Sequence, residues 1–128
     1  MPYEDNEAYS TERSCPVNLK NETGKTVDYV LVTYRFGGYD NKVCKRIDVM
    51  THKEVRENIF TAKYKTGIGT GHCYWFILFL VDDVWFSCGK KYCDLKSEDQ
   101  DIPVLLSFNM SNFHIGCPES SPCDADIN

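Results

Sequence analysis

Long apolar runs are missing from this chain. The longest spans Cys73 to Val81, and a membrane-crossing helix needs about 20 such residues, so no transmembrane segment is expected. An apolar leader is missing too. Met1-Pro-Tyr-Glu-Asp-Asn-Glu7 is acidic and polar, which reads as no secretory signal and gives a cytoplasmic location as the expectation, with secretion lacking a visible signal peptide as the alternative. There is no Cys-x-x-Cys pair, and the Cys88/Cys93 and Cys117/Cys123 spacings fit neither a zinc finger nor a zinc ribbon. A Cys88, Cys93 and His72 zinc site is conceivable and disfavoured, because structural zinc sites use tighter ligand pairs. No Gly-x-x-x-x-Gly-Lys-Ser/Thr occurs, since Gly24-Lys25-Thr26 has Leu19 where the first glycine would stand, so a Walker-type phosphate loop is excluded. No stretch of useful length carries a helical apolar period.

An excess of positive charge is also lacking. The formal net charge is -5. Glu4, Asp5, Glu7 and Glu12 stand against Arg13 at the start, and Glu119, Asp124 and Asp126 have no basic neighbour at the end. The body between is nearly neutral. Lys42, Lys45 and Arg46 form one small basic group and Lys63 and Lys65 another, the pattern of a solvated face. Phosphate-backbone binding needs a stronger footprint, so nucleic acid is not an expected partner.

What is present is β pattern. At 42% hydrophobic and 13% aromatic residues, the chain can bury a core. Val17 and Leu19 alternate with Asn18 and Lys20. Thr26 to Phe36 is rich in Val, Thr and Tyr and reads as a long strand with Val30, Val32, Tyr34 and Phe36 on one face. Val43, Ile47 and Val49 alternate next. Val55 to Tyr64 follows, with Phe60, Ala62 and Tyr64 on one face and Ile59 on the other. Cys73 to Val81 is apolar on both faces and reads as a central strand covered on both sides. Asp82-Asp83 is a two-residue turn without the usual glycine, pairing Phe79 with Phe86. Lys96 to Asp101 is a polar corner with room for one helical turn, and Val104 to Phe108 is a last strand. About seven to eight strands with intervening turn signals predict an all-β, antiparallel β-sandwich. The expected organisation is an acidic tail over 1–14, one sandwich domain over 15–114, and an irregular acidic tail over 115–128.

Seven cysteines is an odd number, so at least one thiol is unpaired within the chain. With no leader, reduced thiols are the expectation. Asn21-Glu-Thr23 and Asn109-Met-Ser111 have the form of glycosylation sequons. No enzyme signature stands out. His52, His72 and His114 fall in different segments, and Cys73 and His72, as strand neighbours, point to opposite faces. No catalytic, cofactor-binding or metal-binding residue is assigned, and no cofactor is expected. Trp75 and Trp85 read as core, with a partly exposed position at a sandwich end as the other option.

The chosen ligand-binding surface is the glycine-rich connection and its flanks: Tyr64, Lys65, Thr66, Gly67, Gly69, Thr70, Gly71, His72 and Tyr74. Three glycines leave the main chain approachable, the Lys and His add donors, and the two Tyr add aromatic edges. The same glycines would also serve a sharp corner. A strand, not a helix, follows them, which argues against phosphate binding.

Tyr64-x-Thr66-Gly67 with Thr70-Gly71-x-x-Tyr74-Trp75 resembles the small up-regulated-in-Daf domain of nematode and fungal proteins. Val17-Asn-Leu-Lys-Asn-Glu-Thr23 is similar to its first strand and turn, and Lys91-Tyr-Cys-Asp-Leu95 with Glu98-Asp99 to its closing motif. Cys73 departs from the acidic residue expected before Tyr-Trp. The resemblance covers roughly residues 16–108 and implies a single compact β domain with stress-linked expression and no assigned catalysis. Length, acidity and aromatic content are also similar, at fold level, to the aegerolysins, which bind membrane lipids. The functional expectation is a non-enzymatic binding or interaction module whose partner is a protein, glycan or lipid. The alternatives are an aegerolysin-like membrane-active protein and a secreted, disulfide-bonded effector.

Overall fold

The computed structural model describes residues 10–37 and 41–128. Residues 1–9, most of the expected N-terminal tail, lie outside the described residues. The described residues form ten strands: β1 (Ser10–Asn21), β2 (Tyr29–Phe36), β3 (Asn41–Ile47), β4 (Val55–Gly67), β5 (Cys73–Val81), β6 (Val84–Ser87), β7 (Lys91–Tyr92), β8 (Val104–Phe108), β9 (Asn112–Gly116) and β10 (Cys123–Asp126). The one helical turn among them is Ser97–Asp99, inside the polar corner.

The expected all-β sandwich is what forms. One sheet runs β10-β9-β8-β1-β4, and the other runs β3-β2-β5-β6 with β7 also on β5. Pairing is antiparallel except for β1 on β8, which is parallel from Val17↔Val104 to Asn21↔Phe108. Alternation fixes the core between the sheets. Val17, Leu19, Leu106, Phe108 and Phe113 come from one sheet, and Val30, Val32, Tyr34, Trp75, Ile77 and Phe79 from the other. Tyr34 and Trp75 are register partners on β2 and β5, and the Tyr34 hydroxyl crosses to donate to the Lys63 carbonyl on β4 at 2.8 Å.

Two local devices set the register. Asp82 and Asp83 take φ of 49° and 64°, the left-handed pair that a tight hairpin needs, and Phe79 faces Phe86 as the turn requires. In β4, Asn58 takes φ of 53° and donates its amide to Asn18 Oδ1 at 2.8 Å. The pairing with β1 shifts there. That bulge buries Ile59 as well as Ala62 and Tyr64, and leaves Phe60 partly buried against Tyr34.

Three expectations change. The segment 115–128 is no irregular tail, because the end of β9 and all of β10 lie in it and complete the first sheet. Residues 10–14, assigned to the N-terminal tail, pair with β4 as part of β1. Finally, β5 is central but not covered on both sides. Tyr74, Phe76, Leu78 and Leu80 are only half-buried, facing outward beside Tyr29, Leu31 and Thr33 of β2. The continuous apolar run reflects a half-exposed apolar outer face rather than a third layer.

The first sequon is also closed by folding. Asn21 is fully buried. Its amide nitrogen donates to the carbonyls of Lys25, Met50 and Thr51, and its oxygen accepts from the Thr23 amide and hydroxyl. This residue locks the β1–β2 turn and has no surface position from which to accept a glycan.

Candidate functional site

The glycine-rich connection lies at one end of the sandwich. Gly67 and Gly69 take positive φ, 126° and 73°, a conformation open to glycine at little cost. Gly71 serves another purpose. A side chain on it would meet the Gly37 backbone at 2.7 Å, and the Gly37 amide donates to the His72 carbonyl at 2.9 Å. Two connections are thus held main chain to main chain. Ile68 stands between the positive-φ glycines with 81% of its surface exposed.

Five of the nine expected site residues come together. Lys65, Thr66, Gly67, Thr70 and Gly71 line an open cleft of about 320 Å³ whose far wall is the segment Asp94 to Glu98. Gly69 sits at the loop tip. His72 is exposed. Its Nδ1 lies 2.9 Å from Asp94 Oδ2 and its ring lies 4.4 Å from that of Tyr92. Tyr64 does not belong to the surface. It is 1% exposed and its hydroxyl donates to the Lys96 carbonyl at 2.8 Å. Period-two alternation from Ala62 carries it into the core, so it shapes the cleft only from behind.

Tyr74 opens a second surface that sequence reading missed. On the outer face of the second sheet, Arg35 on β2 is the register partner of both Tyr74 on β5 and Lys42 on β3. The Arg35 guanidinium lies 4.7 Å and the Lys90 ammonium 4.8 Å from the Tyr74 ring centre. These residues, with Thr33 and Phe76, line a pocket of about 400 Å³ that no carboxylate among the described residues lines. The Thr33/Arg35 and Tyr74/Phe76 alternations are visible in the sequence. Lys42 and Lys90 are brought beside them only by strand pairing and by the path of the chain after β6.

Burial works against nucleophilic chemistry at Cys73, Cys15 and Cys88. Cys73 is fully buried and burial pushes its pKa up to about 11, against hydrogen bonds from Tyr34 and Leu95 that work the other way. Burial likewise raises the thiols of Cys15 and Cys88. The conceivable zinc set does not assemble. Cys93 is bonded to Cys123, Cys88 Sγ accepts from the Ile77 amide, and His72 is engaged by Asp94. Among the described residues, no three His, Cys, Asp or Glu side chains gather as metal ligands. The bonded pair Cys93–Cys123 also corrects the expectation of reduced thiols throughout.

No family model matches the chain, and no curated protein sequence matches it. Among solved structures, it is similar to listeriolysin O at 10% identity and a TM-score of 0.28, over 92% of this chain and 22% of that one. Pneumolysin gives 12% identity and the same score, over 89% of this chain and 23% of that one. The chain thus spans less than a quarter of the length of either structure, and a likeness this slight carries no argument about function.

Proposed function

We propose that the chain is a non-catalytic binding module whose ligand carries an anionic group. The observation that carries this reading is the pocket around Tyr74, where Arg35, Lys42 and Lys90 bring positive charge to a site walled by Thr33, Tyr74 and Phe76. Ammonium and guanidinium groups recognise phosphate, sulfate or carboxylate by charge-assisted hydrogen bonds. A half-exposed aromatic wall favours a ligand with an apolar or ring-shaped portion. Proposed kinship with the up-regulated-in-Daf domains fits a role without chemistry.

The test is a glycan and lipid array followed by titration of the best anionic probe. A Lys42→Ala, Lys90→Ala double variant should lose at least tenfold in affinity while keeping its fold, and the wild-type affinity should fall as salt rises. Equal affinity in the folded variant, or a best ligand without a negative group, refutes the proposal.

A membrane-active role of aegerolysin type is the second reading, and Ile68 favours it. An exposed branched aliphatic side chain at a loop tip, with Lys65 nearby, suits insertion between anionic headgroups. Wild-type protein that fails to co-sediment with anionic vesicles would end that reading, and loss of co-sedimentation on Ile68→Ser is the outcome expected of it. For location, the Cys93–Cys123 bond favours an oxidising compartment, as the secreted-effector alternative requires. Detection of the chain in the medium rather than the cytosol, with that bond intact, is the outcome expected of it.

A further inference from the structure

A third sulfur lies against the disulfide. Cys93, just after β7, is bonded to Cys123 at the start of β10, and Cys117 Sγ is 3.8 Å from Cys93 Sγ. Cys93 and Cys117 are buried, whereas Cys123 is half-buried. Residues 117–122, between β9 and β10, contain no regular secondary structure. We infer that Cys117 exchanges into this bond, so that Cys123 is a latent thiol site, opened from within the protein, for a small electrophile or a disulfide-bearing partner.

The step balances without any oxidant. Cys117 gives up its proton and its thiolate attacks Cys93 Sγ. The Cys93–Cys117 bond forms as the Cys93–Cys123 bond breaks, and Cys123 leaves as the thiolate and takes up a proton. The disulfide count is unchanged. The two sulfurs are in contact but not bonded, so the segment must shift by about the difference between a contact and a bond, on the order of 2 Å. Two features hold this back. Burial raises the Cys117 thiol, partly offset by a hydrogen bond from Ser120, and Asp99 pins the segment through the amides of Glu119 and Ser120. Exchange should therefore be slow near neutrality and faster in alkali, where more thiolate is present. Its consequence is structural as well. Cys93–Cys123 ties β10 to the strand that carries Trp75, because the Cys93 amide and carbonyl bond to Cys73 and to the Trp75 indole. After exchange, β10 loses this covalent tie and is held by its ladder to β9, by the bonds of Asp124 with Asn112 and His114, and by the backbone pairing of Asn128 with Ser87.

The experiment begins with folded, oxidised protein capped at neutral pH with a maleimide, which takes the exposed Cys44. Excess reagent is removed, and samples are held between about pH 7 and about pH 10, then quenched in acid. They are unfolded with an isotopically heavier maleimide and mapped after acidic digestion. The expected result is that heavy label moves from Cys117 to Cys123 as pH rises, with a Cys93–Cys117 linked peptide appearing in step. Cys117→Ser, verified as folded by its melting temperature, should never label Cys123. Cys123 unlabelled at every pH overturns the inference, as does a Cys117–Cys123 link in place of Cys93–Cys117. If Cys117→Ser fails to fold, the wild-type map alone decides between these outcomes.

Discussion

Tyr34 and Trp75 face each other across β2 and β5 with ring centres 4.6 Å apart, and each spends its polar atom on a different partner. Tyr34 donates to the Lys63 carbonyl in the opposite sheet and Trp75 Nε1 to the Cys93 carbonyl, both at 2.8 Å. This pair therefore joins the two sheets and also anchors the chain that leads into the disulfide.

Removing Trp75 should be severe. Trp75→Ala is expected to cost about 3–5 kcal/mol through the cavity it leaves, whereas Tyr34→Phe should cost only about 1 kcal/mol, the net worth of one hydrogen bond. Urea unfolding of the two variants checks the ranking, which fails if Tyr34→Phe is the more damaging.

Acid stability should depend on Asp99. Burial alone would favour its neutral form, but the Ser120 hydroxyl and the amides of Lys96, Glu119 and Ser120 donate to the carboxylate and bring its pKa below the ordinary value. A folded-state pKa below the unfolded one stabilises fully above the unfolded value of about 3.9, and that contribution is lost as pH falls through the folded value. Asp99→Asn should be less stable at neutral pH by about 1–3 kcal/mol and should show a shallower loss of stability below about pH 4. Parallel acid profiles for the two proteins would contradict this account.

Reduction should weaken the fold without abolishing its strands. Cys93 and Cys123 are 30 residues apart, and closing a loop of that length stabilises by about 3–4 kcal/mol. A Cys123→Ala chain should melt lower by several degrees, with hydrogen exchange accelerated first in β10. Uniform acceleration across both sheets would show that β10 is not an independently opening edge.

Gly71→Ala tests the loop end. Its methyl group would press on the Gly37 backbone, so a loss of about 1–3 kcal/mol is expected. Gly89→Ala is the control, since nothing lies within reach of its added carbon, and its stability should stay within about 0.5 kcal/mol of wild type. Equal behaviour of the two would remove the close approach as the reason for Gly71.

Read from the sequence alone, the all-β class, the buried faces of β1 and β2, and the Asp82-Asp83 hairpin are already legible, whereas the buried face of β5 is not, because its residues are apolar on both sides. The legible features follow from side chains alternating along a strand and from turns that are local in the chain. The sequence also brought Lys65, Thr66, Gly67, Thr70 and Gly71 into consideration together, because they are close together in the chain. The parallel pairing of β1 with β8, the strand character of the C-terminal segment, and the place of Tyr64 behind the cleft instead of in it come from the folded arrangement. It alone set Arg35, Lys42 and Lys90 around Tyr74, and Cys117 against Cys93. Each of these joins residues far apart in sequence, and strand register and the crossing of the two sheets set such distances. Neither is written in any local run of residues.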